Sequence, residues 1–210
     1  MTKKTKPSTA LAAIPEESLV AHVRASMTIY GQEVNLERAI PDFRDGLKPV
    51  VRRSLWALSQ IGIDSRIKAA RIVGDTLGKY HPHGDASCYS AVVNIVNSPV
   101  PTIEGEGNWG TLVDPPAAMR YTNASMSFYG KMFFGKNYRP VTELVHNFDR
   151  THKEPLVLPA LLPNLLFNGS QGIGLGLITS IPAFTPGSVL KMMVRILEKE
   201  DLSPDRKSVV

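Results

Sequence analysis

Four places in this 210-residue chain carry residue types able to do chemistry. His81 and His83, one residue apart, could ligate a metal, but no acidic or cysteine cluster near them completes a set, so no metal site is expected. Imidazoles in a basic loop more often donate hydrogen bonds to phosphate. Gly105-Glu-Gly-Asn-Trp-Gly110 has dinucleotide-turn spacing, yet that turn must open a helix, and the following Thr-Leu-Val-Asp-Pro-Pro cannot be one. Gly130-Lys-Met-Phe-Phe-Gly135-Lys136-Asn137 approaches a phosphate-binding P-loop. Its two phenylalanines would crowd the phosphates, and Asn137 stands where a hydroxyl would hold magnesium. Cys88 is the only cysteine, so no intrachain disulfide or cysteine-based zinc site can form; on an apolar helix face it reads as packing.

The charge balance narrows the partner. Twenty-four Lys and Arg against 19 Asp and Glu give a net +5, which favours a polyanion without naming one. A hydrophobic content of 43% is enough for a real core. No run reaches the ~18 apolar residues of a membrane span. The first residues are basic but lack the apolar stretch of a signal peptide, so residues 1–15 are expected to be a disordered tail and the reducing cytoplasm the compartment.

The elements that must position these residues follow from spacing. Residues 16–35 lack proline and predict one or two helices, and residues 38–49 a loop broken by Pro41, Gly46 and Pro49. Pro49 suits the first turn of the next helix, in which Val51, Leu55 and Leu58 form an apolar stripe and Gly62 ends it. Ala70, Val73 and Leu77 predict a helix over 68–77. After a turn, Asp85 is expected to cap a third helix with Cys88, Ala91, Val92, Ile95 and Val96 inward and Ser87, Ser90, Asn94 and Asn97 outward. Helix, turn, helix with a short polar outer face suits a DNA groove, although the pattern alone fits an ordinary solvated helix better. Residues 100–107 and 109–113 are expected as the two strands of a wing, and 114–119 as a brief helix. Strand-like runs follow at 141–148, 156–158 and 165–167, then an amphipathic helix from Thr185-Pro186 to about residue 199.

Five strings occur in order: Arg38-Ala-Ile-Pro-Asp-Phe-Arg-Asp-Gly-Leu-Lys-Pro-Val-Val-Arg-Arg53, Gly78-Lys-Tyr-His-Pro-His-Gly-Asp85, Glu104-Gly-Glu-Gly-Asn-Trp-Gly110, Ala117-Ala-Met-Arg-Tyr-Thr122 and Leu162-Pro-Asn-Leu-Leu-Phe-Asn-Gly-Ser170. Together they closely resemble the A subunits of bacterial DNA gyrase and topoisomerase IV, over about residues 26 to 200.

The resemblance implies an α+β fold. A helical arm (16–37) would precede a winged-helix breakage-reunion domain (38–151) and the start of an α/β tower domain (152–210). It implies that Tyr121 is the nucleophile, forming a phosphotyrosine bond to the 5′ end of a cut strand. A free phenol, with a pKa near ~10, attacks poorly at neutral pH, and a neighbouring cation favours the phenolate and the extra charge on five-coordinate phosphorus. Arg120 takes that role. Arg38, Lys48, Arg52, His81 and His83 correspond to positions that grip the DNA backbone or assist at the scissile phosphate, and Ile173 to an apolar wedge that enters between base pairs and bends the duplex.

The implied assembly is a homodimer of A subunits with a gyrase B-like or topoisomerase IV B-like partner, together an A2B2 complex on double-stranded DNA at the chromosome. That partner would hold the Mg2+ and the ATP. The remaining tower, dimer gate and wrapping domain are expected beyond Val210. Ala86 and Ser90 stand where the family commonly has a hydroxyl and an acid that anchor quinolones, which implies weak sensitivity. The rival reading is a winged-helix module that holds DNA without cutting it.

Overall fold

A computed structural model describes residues 18–135 and 141–198. The expected basic tail, Lys136 and Asn137 of the P-loop-like string, and the far end of the last helix lie outside the described residues.

Three helices build the centre. Pro49 opens α2 (Pro49–Gly62), and α3 (Ala69–Lys79) and α4 (Asp85–Val96) follow. Each buries a stripe at helical spacing: Leu55 and Leu58; Ala69, Ile72, Val73 and Thr76; Cys88, Val92 and Ile95. Against them lies a three-stranded antiparallel sheet in the order β1-β3-β2, from Ile67–Lys68, Asn123–Met126 and Ile103–Glu106. Ala124 and Met126 of β3 point inward, while Asn123 and Ser125 are half-buried. The chain is an α+β protein.

Beside this centre, α1 (Leu19–Val34) runs into a single π-helical turn, Asn35–Ala39, and is exposed along most of its length. Ser127 caps α5 (Phe128–Met132), accepting from the Gly130 amide at 2.9 Å. A hairpin of β4 (Leu144–His146) and β5 (Lys153–Pro155) packs on α2; the boundary expected between 151 and 152 falls in its turn. Then come α6 (Asn164–Asn168), a second hairpin of β6 (Ser170–Ile173) and β7 (Ile178–Ile181), and α7 (Pro186–Leu197).

One buried carboxylate ties these parts together. Asp45 accepts from Arg52 Nε at 2.6 Å and Nη2 at 2.9 Å, and from the Leu47 and Leu158 amides at 2.9 and 3.0 Å. Its carbonyl accepts from Asn164 Nδ2 at 3.1 Å. Gly46 (φ +67°) turns the chain with the Leu165 amide where a Cβ would sit, so only glycine fits.

Five sequence expectations fail. Gly84, not Asp85, holds the N-cap position of α4, with no side-chain bond, and Asp85 is the first helical residue. Residues 109–113 form no strand: Trp109 tucks against Gly105, its indole donating to the Glu106 carbonyl at 3.2 Å, and β2 pairs instead with the distant β3. Residues 114–119 form no helix, because the Asp114 carbonyl accepts from the Thr111 amide and the Ala117 amide donates to the Asn108 carbonyl, closing local turns. The run 165–167 lies in α6 rather than a strand. The strand expected at 156–158 sits at 153–155 as β5.

Candidate functional site

Tyr121 stands just ahead of β3, on a loop held from both sides. The first-turn amides of α3 have no partner within their helix. Ala69 donates to the Thr122 carbonyl at 3.0 Å and Ala70 to the Met119 carbonyl at 3.1 Å. On α4, the Tyr89 hydroxyl donates to the Ala117 carbonyl at 2.7 Å and accepts from the buried Thr122 hydroxyl at 3.1 Å. Held this way, the Tyr121 side chain remains 64% exposed. The Arg120 guanidinium carbon lies 4.6 Å from the centroid of its ring, keeping a cation beside the phenol.

A group of basic residues lines a groove of about 1050 Å³ between the N-terminal end of α4, the π turn and β6. Arg38, Lys48, Arg53, His81 and His83 all face it, with Ser87, Ser90 and Asn94 of α4 forming a polar wall. Tyr121 and Arg120 are not among its lining residues. Lys48 precedes α2 and donates from Nζ to the Gln171 carbonyl of β6; partial burial lowers its pKa from the ordinary lysine value. His83 is exposed, with Nδ1 2.8 Å from the Pro82 carbonyl. His81 is buried, its ring centroid 4.3 Å from that of His83. Burial, then the neighbouring His83, Arg53 and Arg38, holds its pKa down at about 4, so the ring is neutral at physiological pH.

Arg52 corrects an expectation. Its guanidinium points away from the groove into the core, spent on Asp45 and on the Leu47 carbonyl at 3.0 Å. A buried, bidentate arginine cannot grip a phosphate without abandoning its carboxylate. Arg53, one residue on, faces the groove instead.

The β6–β7 hairpin presents Ile173 at 77% exposure. Asn35 of the π turn pins the adjoining bend, accepting from the Leu175 amide at 2.7 Å and donating to the Leu175 carbonyl at 3.2 Å. The turn that carries Arg38 thus also fixes the hairpin that carries Ile173. Among the described residues, no group of three or more His, Cys, Asp or Glu side chains is placed to hold a metal ion. No helix there is long and apolar enough to cross a membrane.

The family of DNA gyrase/topoisomerase IV A subunits matches residues 38–207, from the π turn past α7. The chain belongs to this family. Among its relatives, the DNA topoisomerase 4 A subunit of Pseudomonas aeruginosa is 42% identical over 198 residues, covering 90% of this chain and 26% of that protein. The Synechocystis DNA topoisomerase 4 A subunit is 43% identical over 212 residues, 97% of this chain and 23% of the relative. The DNA gyrase A subunit of Helicobacter pylori is 40% identical over 199 residues, 91% and 24% respectively. The chain thus spans about a quarter of the length of the curated relatives it matches.

Within this gyrase/topoisomerase IV framework, the fold brings together Arg38, Lys48, His81 and His83 and leaves Tyr121 with Arg120 on a separate loop. Sequence reasoning missed Arg53 and Glu154. For Arg53 a signal existed: Arg52 stands three residues before Leu55 on the buried stripe, so its neighbour must turn outward. For Glu154, 101 residues away, there was none.

Proposed function

We propose that this chain is the DNA-cleaving portion of a type IIA topoisomerase A subunit, with Tyr121 as nucleophile. The observation that carries the proposal is an exposed phenol with a guanidinium against its ring, on a loop anchored to two helices. In this reading α2, α3, α4 and the small sheet are a winged helix, with α4 facing the duplex. Arg38, Lys48, Arg53, His81 and His83 hold the phosphate backbone, and Ile173 enters between base pairs. Such contacts give marked salt sensitivity and little sequence preference.

The Tyr121 hydroxyl loses its proton and attacks a backbone phosphorus. The new O–P bond forms as the bond to the 3′ oxygen breaks, and that oxygen takes up a proton, leaving a free 3′ hydroxyl and a 5′ phosphotyrosine. Arg120 stabilises the charge on phosphorus. One phosphodiester replaces another, so resealing needs no ATP. Two copies related by a two-fold cut opposite strands. Magnesium needs carboxylates arranged around it. In this reading the B-like partner holds the magnesium ion and the ATP used for strand passage. The steps above run through neither.

The test mixes the chain with supercoiled DNA, magnesium and a gyrase B-like partner, stops the reaction with denaturant, and looks for protein joined to 5′ ends. Tyr121→Phe should abolish the adduct and leave DNA binding intact. An adduct that survives this substitution, or DNA binding with no adduct from the parent chain, overturns the proposal; the latter result favours a module that only holds DNA.

A further inference from the structure

Glu154 has no part in the chemistry above, yet it is 7% exposed and bonded to an arginine that lines the groove. Its carboxylate accepts from Arg53 Nε at 3.2 and 3.0 Å and from Nη2 at 3.0 Å. That fork fixes the plane of the guanidinium and leaves Nη1 free for other partners. Nη1 lies 3.0 Å from His81 Nδ1 and 3.5 Å from Glu37 Oε2. A guanidinium can only donate. His81 Nδ1 must therefore carry the lone pair, and the proton of the neutral ring sits on Nε2. At His83, Nδ1 faces the Pro82 carbonyl, which can only accept, so this nitrogen carries a proton.

We propose that Glu154 is a positioning residue which, through Arg53, holds His81 as a neutral Nε2–H donor in the groove. A phosphodiester in the groove, which can only accept, then meets His81 as a fixed Nε2–H donor rather than as a ring free to present either nitrogen. Protonating His81 on Nδ1 would set an N–H against the Arg53 N–H. Arg53 from α2, Glu37 and Arg38 from the π turn, His83 from the same loop, and Glu154 from β5 through Arg53 are the charged and titratable groups around the ring. The consequence at DNA rests on the function proposed above; the tautomer does not.

The experiment reads histidine ring nitrogens by 15N NMR on the whole chain near neutral pH, with no DNA present. The parent should show His81 as the Nε2–H tautomer. Glu154→Gln, which still offers an acceptor to Arg53, should keep it. Glu154→Leu and Arg53→Lys should both give a mixed tautomer population while amide spectra of α3 and α4 stay unchanged. If Glu154→Leu fails to fold, Arg53→Lys decides alone, because it keeps the charge and loses only the fork. In the adduct assay, Glu154→Leu should slow cleavage by about tenfold or more, the scale of a misplaced group, with DNA affinity little altered. An Nδ1–H tautomer in the parent, or an unmoved Nε2–H tautomer in Arg53→Lys, overturns the proposal. Tautomers that respond as stated in a chain that forms no Tyr121 adduct would uphold the positioning and sink only the cleavage function.

Discussion

Acidification should destabilise this chain through His81 well before its carboxylates titrate. The ring is 6% exposed and its pKa is held at about 4 against an ordinary 6.5, by burial first and then by His83, Arg53 and Arg38. At about pH 5 the unfolded chain has taken up this proton and the folded chain has not. The unfolded state therefore binds more protons, and stability falls as pH is lowered. The loss begins as pH drops through 6.5 and is complete near pH 4. At ~1.4 kcal/mol per unit the whole displacement amounts to ~3 kcal/mol, of which ~2 kcal/mol is gone at about pH 5. Asp42, lowered to about 2 chiefly by its hydrogen bond from Arg44, has the same sign but loses its contribution between 3.8 and about 2, below this range.

The assay is urea unfolding at about pH 7.5, 6.5, 5.5 and 5, on the parent and on His81→Gln. Glutamine changes the absolute stability, but it cannot titrate, so only the difference in pH dependence matters. The parent should lose ~2 kcal/mol more than the variant between the two extremes, or ~4–8 °C in a thermal scan. Equal losses in the two proteins would refute the reasoning, because a ring that protonates with equal ease folded and unfolded is neither desolvated nor blocked by Arg53.

Other substitutions probe the frame around the groove. Asp45→Ala strands a buried Arg52 and two amides, and should lower the unfolding free energy by about 3–5 kcal/mol in urea; joint replacement of both residues by Leu and Met should recover much of it. Gly130→Ala drives a methyl into the Thr102 carbonyl and should lower stability by about 1–3 kcal/mol in a thermal melt. Lys48→Ala should reduce the slope of log affinity against log salt by about one in a DNA-binding titration, with no change in sequence preference. Asn35→Ala frees the bend beside Ile173, and should reduce duplex bending, read by fluorescence transfer between labelled DNA ends, while leaving the three-helix centre intact.

Much of the centre was legible because its signals are local. The stripes of α2, α3 and α4 repeat at helical spacing over three turns, and Pro49 and Gly62 bound α2 as expected. The sheet was not legible in the same way. Strand β1 is two residues long, too short for any period, and β3 reads Asn-Ala-Ser-Met, small residues whose alternation is visible only once the Ile103↔Met126 pairing is known. Leu165 to Phe167 looked like a strand because a short apolar run has no period of its own; Pro163 ahead of it and Asn164, bonded to the carbonyl of Asp45, commit it to one helical turn. Where the partner of an element is far along the chain, spacing within the element carries no word of it.

The two arginines of α2 show how fold and site divide one motif between them. Successive helical residues point about 100° apart. Arg52 falls in register with Leu55 on the inward face, and the core accepts it only because Asp45 is buried to receive both arms of its fork. Arg53 falls on the side where Trp56 donates to the Lys153 carbonyl at 3.0 Å, so the strand that docks against α2 also delivers Glu154. Each guanidinium thus has its carboxylate, but of the two only Arg53 lines the groove, and its Nη1 reaches His81. Loss of Asp45 should therefore be felt as loss of folding, and loss of Glu154 as loss of order in the groove. A chain in which Glu154→Leu cost as much stability as Asp45→Ala would contradict that division.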